Sequence, residues 1–124
     1  MNNVVGFQSI TPFLKTSDLN KTIRFYVDLL GFVVHAQWPA HNPTGCILDN
    51  GHVHLAFGTD PERWYGEPCL SGQLWIEVDD VMALHARVVD KIKMEWGPEV
   101  YSYGRLEFAI KDCNGYTLAF SQPA

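Results

Sequence analysis

Several absences bound this chain before anything in it is read. No apolar run approaches the roughly 20 residues that a bilayer span requires. Met1 to Ser9 carries no basic stretch leading into an apolar one, so there is no secretion signal to read and a cytoplasmic protein with no membrane partner is expected. Cysteine is scarce: Cys46, Cys69 and Cys113 are an odd number without close spacing, which excludes a disulfide framework and a zinc knuckle and leaves free thiols. Basic charge is thin as well. Nine Lys and Arg residues are scattered through a chain of net charge −5, which argues against a nucleic-acid partner and leaves an acidic protein suited to a cationic ligand. There is no Gly-rich phosphate loop, Gly-x-Ser-x-Gly elbow or His-Glu-x-x-His motif.

What is present is ordinary in bulk. With 47% hydrophobic and 19% charged residues over 124 positions, the chain suits a single globular domain, and a domain of this size buries roughly two-thirds of its unfolded-chain surface. The order of the residues is more telling, because it repeats. Thr11-Pro12-Phe13-Leu14-Lys15-Thr16-Ser17-Asp18 reads as a strand entering a helix N-cap, and Gln73-Leu74-Trp75-Ile76-Glu77-Val78-Asp79-Asp80 reads the same way. Leu19, Ile23, Tyr26 and Leu30 then recur at helical spacing up to Gly31, a residue suited to ending a helix. Val81, Leu84, Val88 and Ile92 do so in the second half, where Asp90 or Lys91 must serve as the exit.

Each helix leads to strands that close in an Asn-Gly hairpin. Gly45–Asp49 runs through Asn50-Gly51 into His52–Phe57, and Leu106–Lys111 through Asn114-Gly115 into Tyr116–Phe120. Further strands are expected at Phe32–Trp38 and Lys93–Trp96. The string is β-α-β-β-β twice: unit one over about 8–59, a linker rich in Pro and Gly over 60–70, and unit two over about 71–122. The fold class is α+β, a curved mixed sheet around a concave pocket with helices on the convex side.

Ser17-Asp18-Leu19, Phe25-Tyr26, Leu30-Gly31-Phe32, Val78-Asp79-Asp80-Val81, Tyr103-Gly104-Arg105-Leu106-Glu107-Phe108 and Asp112-Cys113-Asn114-Gly115 carry a resemblance to the vicinal oxygen chelate superfamily. That superfamily includes glyoxalase I, the bleomycin-resistance proteins, extradiol dioxygenases and fosfomycin-resistance proteins. The resemblance covers roughly Ile10 to Gln122, and Cys113 departs from it where Pro is common. It implies a homodimer with pockets near the interface. In metal-dependent members four ligands come from the first and last strand of each unit, and the matching positions here are Thr11, Ala56, Gln73 and Ala119. Alanine has no donor atom, and a neutral hydroxyl and amide are poor substitutes for imidazole and carboxylate. No metal and no cofactor is therefore expected.

Alternation along the strands sorts the side chains. Leu14, Leu74, Ile76, Val78, Val53, Leu55, Phe57, Leu118 and Phe120 face the helices, whereas Phe13, His52, His54, Gln73, Trp75 and Glu77 face the concavity. Phe13, Trp38 and Trp75 can form an aromatic wall, and Glu77, Glu95 and Glu107 can supply a negative field. The ligand-binding set expected from sequence is Phe13, Trp38, His54, Gln73, Trp75 and Glu107. Trp64, Tyr65, Tyr101 and Tyr103 are candidate lids or dimer contacts, His35, His41 and His85 are read as surface residues, and Arg105 and Lys15 show no partner. The functional expectation is a metal-independent, bleomycin-resistance-like protein that holds a cationic or aromatic small molecule. The alternative is a glyoxalase- or dioxygenase-like enzyme in which His52, His54 and Glu107 act as ligands or as acid and base. A third possibility is a vestigial cavity filled by Trp75 packed on Phe13.

Overall fold

The structure is a computed structural model and describes residues 5–59 and 66–124. Trp64 and Tyr65 lie outside the described residues. Unit one begins with β1 (Phe13–Lys15), α1 (Leu19–Arg24) and a π-helical turn over Phe25–Leu29. It continues as β2 (Val33–Trp38), β3 (Gly45–Asn50) and β4 (Val53–Gly58). Unit two repeats the order as β5 (Leu74–Glu77), α2 (Val81–Val88), β6 (Trp96–Val100), β7 (Arg105–Lys111) and β8 (Thr117–Pro123). Each unit makes its own four-stranded mixed sheet, β1-β4-β3-β2 and β5-β8-β7-β6, in which the first strand lies parallel to the last.

The helix starts follow the sequence closely. Asp18 and Asp80 have extended backbones, and each carboxylate accepts from the amide three residues on, Lys21 at 3.0 Å and Ala83 at 2.9 Å. These are N-caps, each contributing about 1 kcal/mol. Gly31 has φ +77°, the left-handed conformation that lets the chain leave the first helix without a Cβ clash. The smooth helical spacing from Leu19 to Leu30 hides a π-helical turn, which carries Tyr26 into the core with no exposed surface.

Two strand features differ from expectation. The strand expected at Lys93–Trp96 starts at Trp96 and runs to Val100. Gly97 and Pro98 look like strand breakers, but they sit in an irregularity between Trp96 and Glu99 on the outermost strand of the second sheet, where a missing N–H costs nothing. The two Asn-Gly hairpins are also unalike. Asn50 pairs with Val53, leaving only Gly51 and His52 as the turn, whereas Lys111 pairs with Thr117 and leaves the five residues Asp112 to Tyr116. His52 therefore sits exposed in a turn and does not share the concave strand face with His54.

Leu48, Leu55 and Phe57 of the first sheet and Phe108, Ile110, Leu118 and Phe120 of the second bury in one cluster with Leu19, Tyr26, Val81 and Val88. Complete burial of each such side chain stabilises by about 1.5–3 kcal/mol. The helix-facing side chains of both sheets thus meet in one core shared by the two units.

The longer turn ties the units together. The Asp112 carboxylate accepts from the amides of Asn114 and Tyr116 at 2.9 Å each and from the Tyr26 hydroxyl at 2.6 Å. Asn114 accepts from the Thr16 hydroxyl at 2.8 Å and donates to Thr22 at 3.1 Å, while the Tyr116 hydroxyl donates to the Lys15 carbonyl at 2.8 Å. Burial dominates the Asp112 environment and pushes its carboxyl above the usual range despite these donors.

Candidate functional site

The concave face of unit two is built by strand register. Glu107 lies opposite Ser121 and Glu99, Trp75 lies opposite Ala119, and Glu77 lies opposite Ser121, so all of these point to the same side. Glu107 is 2% exposed, yet its carboxylate is fully partnered. Trp75 Nε1 donates to Oε2 at 2.7 Å, Ser121 to Oε2 at 2.9 Å, and the Tyr103 hydroxyl to Oε1 at 2.6 Å. Burial alone would raise this carboxyl, but the bonds from Tyr103, Trp75 and Ser121, with the Arg105 charge nearby, outweigh it and hold the group below its usual range. The same bond pushes the Tyr103 phenol up to about 12.

Arg105 completes the network. Its Nε donates to Ser121 at 2.9 Å, its Nη2 meets Glu77 at 2.9 Å, and its guanidinium carbon lies 5.4 Å from the Trp75 ring centroid. Trp75 is thus fixed at its nitrogen and covered on one face, while 58% of its surface stays open. Tyr101 and Tyr103 stack at 5.9 Å and 9° beside it. With Glu77, Glu99 and Glu107 against Arg105, this face carries an excess of negative charge. Glu95, expected here, instead pairs with Lys111 at 3.8 Å.

The concave face of unit one holds the other sequence-derived residues. Phe13 and Trp38 meet edge to face at 6.2 Å, and Trp38 lies over Gly45, where a Cβ would collide with its ring. Asp49 lies opposite His54 in register, and an irregularity between Val34 and Ala36 turns His35 toward the same carboxylate. His54 Nδ1 lies 2.6 Å from one Asp49 oxygen and His35 Nδ1 2.8 Å from the other. The hydrogen bond from His54 is the main influence holding the Asp49 carboxyl below its usual range, with His35 adding to it. An ionised carboxylate only accepts, so the imidazoles donate from Nδ1 and present Nε2 outward.

The six expected ligand-binding residues therefore fall into two places: Phe13, Trp38 and His54 on one unit, and Trp75 and Glu107 on the other. Gln73 stands exposed just ahead of β5, and among the described residues no hydrogen bond engages its side chain. The sequence-derived trio of His52, His54 and Glu107 is not brought together at all. The expectation that Arg105 lacks a partner is corrected by its bonds to Glu77 and Ser121. His35 is exposed, as expected of a surface residue, but is also bonded to Asp49, and His85 is half-buried with an edge contact to Phe108 at 5.4 Å. Trp75 packs on Glu107 and Arg105 rather than on Phe13, which removes the filled-cavity expectation.

The part played by Asp49 and His35 was not read from sequence, Tyr103 was read only as a lid or dimer contact, and Ser121 only as a residue of the concave face. The Arg105 contact was findable from alternation once Glu107 and Ser121 were placed, whereas His35 depends on a strand irregularity with no residue signature. A metal at the four positions of the family's ligands does not fit this chain. Ala56 and Ala119 are buried methyl groups at 2% and 0% exposure, and among the described residues no group of three or more His, Cys, Asp or Glu side chains is placed to hold an ion.

A search of curated proteins finds no match. Among solved structures the chain is similar to TioX from Micromonospora sp. ML1, at 18% identity and TM-score 0.79 over 95% of this chain and 100% of that one. It is similar to TnmS3, an antibiotic binding protein from Streptomyces sp. CB03234, at 20% identity and TM-score 0.78 over 98% and 100%. A lactoylglutathione lyase from Agrobacterium tumefaciens matches at 18% identity and TM-score 0.72 over 92% of each chain. At these identities the likeness speaks for the fold. The family model for the glyoxalase/bleomycin resistance protein/dioxygenase superfamily matches residues 7–120, and the chain belongs to that superfamily.

Proposed function

We propose that this protein binds a planar, cationic small molecule on the concave face of unit two, without a metal, in the manner of an antibiotic-sequestering protein. The observation that carries the reading is the Trp75 indole, anchored at its nitrogen by the buried Glu107 carboxylate and open over most of its surface. An aromatic face with an ionised carboxylate at its edge attracts a cation through its quadrupole and through charge at once, about 0.5–2 kcal/mol for the ring contact alone. Arg105 already covers one face of the indole, so the ligand stacks on the other. Similarity to an antibiotic binding protein supports this reading.

With the helix-facing sides of both units joined in one core, a closed pocket over the concave face is completed by a unit from a second copy. Exposed Phe13 at 42%, Trp38 at 40% and Trp75 at 58% supply the apolar surface for that meeting. The reading is therefore a homodimer in which Phe13, Trp38 and His54 of one copy complete the Trp75 and Glu107 site of the other.

Isothermal titration with a panel of planar cationic antibiotics is expected to give saturable heat, with Trp75→Ala weakening the best ligand by about tenfold or more. Uniformly absent heat, or full affinity in the variant, overturns the reading. One observation favours a second reading: the Asp49–His54 pair presents Nε2 as a base, the arrangement of an oriented imidazole in acid-base catalysis. Elemental analysis that finds a stoichiometric transition metal in chelator-free protein would favour the enzyme.

A further inference from the structure

The two seams between the units are related by the internal repeat, yet they are not alike. On one, the five-residue turn Asp112 to Tyr116 reaches α1 and closes the gap with the Thr16, Thr22 and Tyr26 bonds. On the other, the two-residue turn Gly51-His52 is too short to reach α2. The corresponding positions on that side are Val78 and Leu84, which offer no polar groups where Thr16 and Thr22 stand. A cleft of about 580 Å³ remains, within the usual range for a small-molecule site.

Its floor is apolar: Phe32 and Val53 from unit one, and Val78, Leu84 and Phe120 from unit two. Its charges sit at opposite ends of α2. Asp79 and Asp80 border it at the helix start, and Arg87 borders it seven residues later, about 10 Å along the axis at 1.5 Å per residue. The Arg87 guanidinium rests over Gly31, and among the described residues no carboxylate pairs with it. The cleft is lined chiefly from the helix side, and Glu77, whose carboxylate Arg105 engages, stands where it borders the concave face of unit two.

We infer that the cleft is a second ligand site, for an elongated apolar zwitterion whose ammonium meets Asp79 and Asp80 and whose carboxylate meets Arg87. Short apolar peptides and ω-amino acids share that chemistry. The two-turn separation of the charges selects for length, and the apolar floor selects against polar bodies.

The test uses the full chain labelled with ¹⁵N, titrated separately with 8-aminooctanoate and with trileucine. Either probe is expected to shift the amides of Val53, Ala83 and Leu84, and the arm that binds more tightly identifies the source. Octylamine and octanoate, each with one charge, should bind at least tenfold more weakly. Arg87→Ala should erase the preference for the zwitterion over octylamine, and Ala83→Trp, at an exposed position on the cleft wall, should abolish binding while the melting temperature is kept. Trp75→Ala should leave cleft binding unchanged, which separates this site from the concave one. Shifts confined to Trp75 and Tyr103, no shifts at millimolar probe, or unchanged binding in both cleft variants overturns the inference.

Discussion

Glu107 shows how much one side chain decides. Its carboxylate is the shared acceptor for Trp75, Tyr103 and Ser121, so Glu107→Gln puts an amide donor where three donors already point. Leaving buried groups mispaired costs about 1–3 kcal/mol, and a lower melting temperature should report it. The pH dependence has a definite sign. Because the folded-state value is depressed, the stability from the ionised group is complete above the ordinary glutamate value of about 4.3 and is lost as pH falls through the folded value. The melting gap between wild type and variant should close in acid. A gap that widens below pH about 4 would contradict this linkage. The variant should also let Tyr103 titrate below the value of about 12 it has beside the carboxylate, read as earlier phenolate absorbance.

The strand turns and helix joints carry the next level of consequence. Asp112→Ala removes the acceptor of the Tyr26 hydroxyl and of two turn amides, and about 2–4 kcal/mol should be lost. Asp112→Asn keeps an acceptor oxygen and should cost less, a difference that urea unfolding would measure. Gly97→Ala belongs here too. Gly97 has φ +74°, and a Cβ there would run into the Glu107 carbonyl, so the outer strand must shift and take the Glu107 side of the site with it. Loss of ligand affinity together with stability is expected, whereas an exposed glycine with open space around it, such as Gly72, should tolerate alanine.

Across the whole molecule, the repeat, the N-caps and the apolar faces were legible because period and burial leave marks in sequence: Leu55 and Phe57, Leu118 and Phe120 could face only a core. The site was half legible. Trp75, Glu77 and Glu107 could be placed by alternation, but Tyr103 comes from a loop and His35 from an irregular strand, where no period applies. Whether one chain closes its own concavity was not legible at all, since either packing uses the same pattern. The packing found here predicts that sedimentation velocity will show a two-chain species and that ligand affinity will fall on dilution. A lone chain that keeps full affinity would contradict a shared pocket.

The unequal hairpins reach beyond the cleft they leave. Of two joints related by the internal repeat, one turn is a rivet and the other is slack. The riveted side holds the halves in place, so substitutions on the slack side can accumulate without loosening the molecule. That freedom marks where relatives with this architecture should differ most in shape while the fold stays the same.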